Sequence, residues 1–395
     1  MNFNFTKEEQ DFIEEVRDFI KKQQNKKDAD IVFAPNREAD ATTKVDSLPR
    51  RAFMKELSKK GYLGMSWPKK YGGQEKPGIY DYLLNEELAS VGAPAPGKGV
   101  GSVGQTIIRH GSEKLKKEFL PKILNADIEF ALGYSEPGAG SDLASLRLKA
   151  EKKGGGWLVN GQKTWTSSAH FAEWYWLAVR TGPNQPKHKG ISVFLVPMND
   201  PGIMVHPIET MGEHHTNGVF LTDVFVPDDY VVGEVNQGWT YICEALNYER
   251  FTFYTIGPLE HKFENILDLV NTLQRDGKTL KELPEVRNKI VELAIDVEKA
   301  KVLQRKVLSI AIKDEVPSVE AAVFKLFSTQ LSQRMANMAM DILGREGLFH
   351  KDGKDAIAQG KWEWSYRGTV VDTIGAGTSE IQKNTIAKKA LDLPL

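Results

Sequence analysis

The sequence predicts an α+β multidomain chain, helical, then β, then helical again, and three observations carry that prediction. Up to about residue 128, apolar residues recur at helical spacing. From 129 to 232 the texture changes to short β-rich runs, "FALGYS", "WLVNG", "EWYWLAVR", "ISVFLVP", "GIMVHP" and "GVFLTDVFVP", divided by Gly, Pro and Asn clusters. Such spacing suits a β-barrel or sandwich. Beyond Val232 long helical patterns return. At 395 residues the chain is long enough for several packed units. The expected domains are therefore 1–128, helical; 129–232, β; and 233–395, helical.

The elements follow in order. Thr6 and Glu9 form a capping-box pattern, and Phe12, Ile13, Val16, Phe19 and Ile20 then recur on one helical face. Phe53, Met54 and Leu57 mark a later helix, as do Tyr80, Leu83, Leu84 and Leu88, and then Leu115, Phe119, Leu120, Ile123 and Leu124. The polar stretch 25–47 reads as a surface connection or arm. In the β unit, Asn160-Gly161 is a hairpin-turn signal. Helices are expected at about 238–275, 284–313 and 318–344, with a last one from 378, where Thr378 and Ser379 offer caps.

Composition excludes several classes. A net charge of −1 gives no reason to expect a nucleic-acid partner. No apolar run reaches the roughly 18–20 residues a bilayer span needs. The opening "MNFNFTKEEQDFIEEV" has neither a basic stretch nor an apolar one, so the expected compartment is cytoplasmic. The single cysteine, Cys243, rules out an internal disulfide framework. His214 and His215 are adjacent, which on a strand sends them to opposite faces, and no metal site is assigned.

Two segments carry chemistry. In "ALGYSEPGAGSD" (131–142) a strand-like run meets Glu136-Pro137 and then Gly138, Ala139, Gly140 and Ser141. The glycines permit close approach of a ligand to the backbone, and Tyr134, Ser135 and Ser141 offer polar groups to it. By itself the segment reads equally as a tight connection. In "VNGQKTWTSSA" (159–169) Trp165 stands beside Thr166, Ser167 and Ser168, which alone is also compatible with plain core. Two such segments in one β unit better suit a flat heteroaromatic cofactor, with polar edges and an aromatic face.

"YSEPGAGSD", "NGQKTWTSSA", "DVFVP" and "GAGTSEIQ", with the earlier "GYLGMSWPKKYGG" (61–73), occur in the order and at the separations of the acyl-CoA dehydrogenases, and the chain resembles that family from end to end. The resemblance implies a helical N-terminal domain, a middle β-domain, and a C-terminal four-helix bundle that assembles the oligomer, a tetramer. It implies FAD between the middle domain and the C-terminal helices, with an acyl-CoA thioester against the flavin. Electron-transfer flavoprotein or a similar acceptor is the implied redox partner. Leu132, Tyr134, Ser135, Gly140 and Ser141 would line the flavin, Tyr134 and Ser135 at its pyrimidine edge. Trp165 would stand beside the ring and Ser167 near N5. Ser141 would also meet the pantetheine arm. Thr378 and Glu380 fall where the family contacts FAD, although relatives often carry glutamine at the second position.

The family's usual base is a carboxylate at the position of Ala376, and alanine removes no proton. Relatives resembling isovaleryl- and long-chain-acyl-CoA dehydrogenases place the glutamate on the first long C-terminal helix, and in "GWTYICEALNYERFTFYTIG" it falls at Glu249. The helix phase points the same way: Trp239, Ile242, Leu246 and Phe253 form an apolar stripe, and Glu249 is in step with it. A carboxylate on such a stripe is costly unless paired or used, so the pattern alone leaves a buried salt bridge equally open. With Ala376 vacant, Glu249 is the expected catalytic base. Asn247 and Arg250 match positions that contact substrate, and for Arg250 an ion pair within the protein is an equal alternative. Ala376 still offers its N–H to the thioester oxygen beside Gly377, and with Gly375 it leaves room for a bulky, branched or cyclic acyl group.

Two departures bear on assembly. Relatives commonly carry an Arg-x-x-Phe-Gly motif that reaches a neighbour's FAD; here Arg275 stands without the Phe-Gly. A second neighbour-reaching motif reads "DILGREG", with Asp341 and Arg345 at the sensitive places. Some relatives pair two unlike subunits, and this chain resembles the base-carrying member of such a pair. The expected activity is FAD-dependent α,β-dehydrogenation of an acyl-CoA to the 2-enoyl-CoA, in a homo- or hetero-oligomer. The alternatives are a non-catalytic subunit of the same fold and an oxygen-reactive acyl-CoA oxidase or hydroxylase.

Overall fold

The computed structural model describes residues 5–33, 47–213, 215–253, 255–311, 317–351 and 353–394, without the side chains at 247–253 and 311. The N-terminal unit contains α1 (Lys7–Gln24), α2 (Ala29–Val32), α3 (Leu48–Lys59), α4 (Ile79–Ser90), α5 (Gly104–His110) and α6 (Glu113–Leu124). At the start of α1 the capping box forms as the sequence implies: Thr6 accepts from the Glu9 amide and Glu9 returns a carboxylate to the Thr6 amide. Phe12, Val16, Phe19 and Ile20 of that helix pack with Phe53, Leu57, Tyr62 and Leu83, and Leu308 from the C-terminal unit closes the cluster. Most of the polar arm, 34–46, lies outside the described residues.

The middle unit is built from β1 (Phe130–Gly133), β2 (Lys149–Lys153), β3 (Gly156–Lys163), β4 (Trp174–Arg180), β5 (Ile191–Pro197), β6 (Ile203–Glu209) and β7 (His215–Pro227). The strands run in the order β1-β4-β2-β3-β7-β6, with β5 also on β4. β1 lies parallel to β4, whereas the β2–β3, β3–β7, β4–β5 and β6–β7 pairs are antiparallel. β4 and β5 are buried on both faces. Trp176, Ala178, Val193 and Leu195 pack towards Phe119 and Ile123 of α6, while Tyr175, Leu177, Val179 and Phe194 face Val159, Val219 and Val224. That double burial explains why "WYWLAV" and "ISVFLV" read as continuous apolar runs instead of alternating ones.

One β-unit expectation needs correcting, and one strand was not expected. Asn160-Gly161 makes no hairpin turn: β3 runs straight through it, and the register against β7 shifts between Val159 and Gly161. Gly161 uses its φ of +140° for a bulge, and Asn160 pairs with Asp223 on the opposite strand. The chain reverses instead at Gly154-Gly155, which joins β2 to β3. β2 itself, "KAEKK", carries only one buried side chain, Ala150, and so gave no apolar pattern to read.

The C-terminal unit holds α7 (Gly238–Phe253), α8 (Gly257–Thr272), the two-stranded β8 (Gln274–Arg275) and β9 (Lys278–Thr279), then α9 (Pro284–Ala311), α10 (Ser318–Leu343), α11 (Lys361–Asp372) and α12 (Ser379–Ala390). The helix expected over 238–275 is two helices. The second starts at Gly257 with Pro258 in its first turn, where a proline is tolerated because its missing N–H is not needed. α11 was not legible as a helix of its own, since "KWEWSYRGTVVD" mixes aromatic and charged residues without a dominant face. α10 is the axis of the bundle, with Ala321, Ala322, Ser328, Thr329, Ala336 and Ala339 letting its neighbours approach closely. Among the described residues no helix is long and apolar enough to cross a membrane.

Candidate active site

The loop after β1 is held from behind by one buried ion pair. Glu136 and Ala139 exchange backbone hydrogen bonds of 3.0 Å around Pro137-Gly138. The Glu136 carboxylate accepts from the amides of Arg147 (2.7 Å) and Leu148 (2.9 Å) and from Lys163 Nζ (2.8 Å). Lys163, fully buried at the end of β3, also donates to the Tyr134 carbonyl at 3.0 Å. Burial pulls its ammonium down to about 8, opposed by the charge of Glu136. The front of the loop is open: a Cβ at Gly138 or Gly140 would meet nothing within 4 Å, and Ser141 is exposed.

The second segment sits directly beside the first. Thr164 N–H donates to the Ser135 carbonyl at 2.9 Å, which joins the two. Trp165 and Ser168 both take left-handed backbone, φ 56° and 70°, and between them Thr166 is buried against Tyr175. Trp165 itself is 60% exposed, an unusual position for so large an apolar face. Asn217 fixes the segment by accepting from and donating to the backbone of Thr166 at 2.9 Å in each direction. From the N-terminal unit, Lys98 donates to Ser168 Oγ at 3.1 Å and reaches the Ser167 carbonyl at 3.4 Å. An exposed indole beside open glycines and hydroxyls fits a flat ring with polar edges, so the residues present suit a flavin. The Tyr134 hydroxyl accepts from Trp176 Nε1 at 2.9 Å. Leu132 is half-buried against the same core.

The third piece is the turn between α11 and α12. Ala376 and Gly377 both have positive φ, 52° and 91°. Thr378 caps α12 by accepting from the Ile381 amide at 3.2 Å. Glu380 lies exposed in the first turn, its carboxyl held below the usual range by its own backbone amide and by the Thr378 hydroxyl. A Cβ at Gly375 would meet only the Val371 carbonyl, at 3.6 Å, so the space beside Ala376 is open. Lys325 of α10 holds this turn from inside, donating to the carbonyls of Gly375 (2.8 Å) and Gly377 (2.5 Å).

The backbone of α7 carries positions 247, 249 and 250, while the side chains of Asn247, Glu249 and Arg250 lie outside the described ones. Earlier on α7, Ile242 is buried, and Trp239 and Leu246 pack on the same core as Trp67 and Val103. Middle and C-terminal units are tied by Glu213, which accepts from His350 (2.6 Å), Lys351 (2.7 Å) and Arg367 (3.0 Å). Hydrogen bonds from Lys351 and His350 draw its carboxyl down to about 2. Lys98, Lys163 and Lys325 were all missed by the sequence reading. Their only sequence signal is a lysine inside an apolar or glycine-rich run.

The two stretches that depart from the family pattern are neighbours. Arg275 spends one guanidinium N–H on the carbonyl of Ile342 at 2.7 Å, and Asp341 pairs with Lys289 at 3.5 Å on the surface.

Comparison with known proteins agrees with this architecture. The N-terminal, middle and C-terminal domain models of acyl-CoA dehydrogenase match residues 6–127, 131–224 and 236–391. The acyl-CoA dehydrogenase FadE26 of Mycobacterium tuberculosis is 35% identical over 351 residues, 87% of this chain and 88% of that protein. Two solved structures superpose over all of both chains at 32% identity: the Tcur3481-Tcur3483 steroid ACAD (TM-score 0.87) and the ChsE4-ChsE5 complex from Mycobacterium tuberculosis (TM-score 0.86). The chain belongs to the acyl-CoA dehydrogenase family, whose members are flavoproteins, and it is an oxidoreductase acting on acyl-CoA.

Proposed function

We propose that the chain is the base-carrying subunit of an FAD-dependent acyl-CoA dehydrogenase, with Glu249 as base. The observation that carries this reading is the turn at Ala376 and Gly377, whose backbone takes positive φ and whose side chains include none able to take a proton. The core-facing phase of α7 supports Glu249 as the replacement. FAD, when bound, supplies the hydride acceptor for the β-carbon. The residues of this chain do the rest. Glu249 takes the α-proton, and a carboxylate in a water-poor setting is a stronger base than one in bulk solvent. The Ala376 N–H donates to the thioester oxygen as negative charge develops there. Trp165 offers its face to the ring, Ser135 and Ser167 offer polar groups to its edge, and Leu132, Gly140, Ser141, Thr378 and Glu380 complete the lining. Asn247, Arg250 and Gly377 stand by the substrate.

The open space beside Gly375 and Ala376 favours a bulky, branched or ring-bearing acyl group. A structural neighbour described as a steroid ACAD supports the same direction. The engaged Arg275 and the acidic Asp341 support assembly with an unlike, related chain, as does the ChsE4-ChsE5 pairing in a structural neighbour. Electron-transfer flavoprotein or a similar carrier is the acceptor we assign.

The test is flavin bleaching by straight-chain, branched and ring-bearing acyl-CoA thioesters. Glu249→Gln keeps the shape and loses the proton acceptor, so bleaching falls roughly 10²–10⁴-fold. Ala376→Glu in that background restores part of it. A Glu249→Gln enzyme that bleaches at the parent rate refutes the base assignment.

A further inference from the structure

We propose that Lys325 is a positioning residue for the thioester-binding amide: by gathering the carbonyls of the 375–377 turn on its inner side, it aims the Ala376 N–H outward. This inference rests on the reading of that turn as the thioester site.

Lys325 is 1% exposed on α10, among Ala321, Ala322, Phe324, Ser328 and Thr329. An ammonium there is expensive, and an apolar residue would serve packing better. Its Nζ reaches the Gly375 carbonyl at 2.8 Å and the Gly377 carbonyl at 2.5 Å. Gln382, fully buried on α12, adds Nε2 to the Gly377 carbonyl at 3.0 Å and to the Ala376 carbonyl at 3.5 Å. Three successive carbonyls therefore point inward.

In a trans peptide the C=O and the next residue's N–H point in opposite directions. The amides of Ala376, Gly377 and Thr378 consequently point away from Lys325 and Gln382. Both ends of the turn are closed by other bonds, Gly375 N–H to the Val371 carbonyl and Ser379 N–H to the Thr373 carbonyl, each 2.9 Å. Among the described residues, the three amides between them have no acceptor. Consecutive N–H groups held in a positive-φ turn form a concave site for an anionic oxygen. The charge of Lys325 also polarises the Gly375–Ala376 peptide from its carbonyl end, which makes the N–H a stronger donor.

The role predicts selective weakening of anion binding. Acetoacetyl-CoA is a suitable probe, because it ionises to an enolate with its negative charge on the thioester and keto oxygens, and the enolate is followed by its ultraviolet absorbance. On the FAD-loaded protein, Lys325→Met raises the apparent pKa of bound acetoacetyl-CoA by about one unit, a tenfold loss of preference for the enolate. Lys325→Gln, which keeps a donor for one carbonyl, falls between the two. Glu249→Gln removes a negative charge and so keeps or strengthens enolate binding. Failure of the base reading therefore appears in Glu249→Gln turnover and leaves the Lys325 result untouched. In the parent protein, acetoacetyl-CoA slows hydrogen exchange at the amides of 376–378, a readout that needs no variant. A parent pKa for the bound enolate in Lys325→Met or Lys325→Gln, whatever their melting temperatures, overturns the proposal, as does unchanged exchange at those amides.

Discussion

The loop after β1 and the turn before α12 are each held by a buried lysine, and they are held through different acceptors. Lys163 meets a carboxylate, Glu136, whose remaining capacity is taken by two backbone amides. Lys325 meets backbone carbonyls of Gly375 and Gly377. In the first case the charge is absorbed by a counter-charge and the loop is a rigid wall. In the second the ammonium donates to the carbonyl of the peptide that carries the Ala376 N–H. The two lysines thus hold different groups, a carboxylate in one case and backbone carbonyls of a turn in the other.

The largest effect on stability is expected at the wall. Lys163→Met leaves the Glu136 carboxylate buried and uncompensated, and breaking such a pair costs about 3–5 kcal/mol. Chemical denaturation of the parent and the variant measures it. Adding Glu136→Gln removes the stranded charge while keeping an acceptor for Arg147 and Leu148, and recovers part of the loss. A Lys163→Met protein as stable as the parent would erase the distinction between the two lysines.

A smaller effect is expected in cofactor retention. If Asp341 and the engaged Arg275 no longer serve a neighbouring subunit's FAD, the chain purified alone binds FAD weakly. Each lost charged hydrogen bond is worth about 1.5–3 kcal/mol, roughly ten- to a hundredfold in affinity. The ratio of flavin to protein absorbance reads this directly, and addition of an unlike, related chain with the intact elements restores it. One FAD per chain in a stable homotetramer contradicts the unlike-subunit reading and leaves the dehydrogenase assignment standing.

The smallest effect is expected at Ala376. An L-residue in left-handed backbone costs about 1–2 kcal/mol, part of which Ala376→Gly loses again through the freer unfolded chain. The net gain is about 0.5 kcal/mol, visible as a slightly raised melting temperature. Enolate affinity stays at the parent value, because Lys325 and Gln382, not the alanine side chain, set the direction of the amide. A large loss of enolate affinity in Ala376→Gly would move that role back to residue 376.

What the sequence determined by itself is whatever local pattern dictates. The helix–β–helix order, the Thr6–Glu9 box, the Thr378 cap and the doubly buried β4 and β5 depend on residues within a few positions of one another, so periodicity and capping chemistry expose them. The phase of position 249 was visible for the same reason, whereas the missing carboxylate at 376 was legible only through the resemblance to a family. Tertiary structure alone decided the bulge at Gly161, the strand "KAEKK" and the break before Gly257, since a partner strand or packing helix overrode the local signal. It also decided the lysines. Lys163 lies 27 positions from Glu136, and Lys325 lies 50 and 52 positions from the carbonyls it holds. Whether a buried ammonium faces a carboxylate or a carbonyl is a matter of three-dimensional position, and no spacing along the chain encodes it.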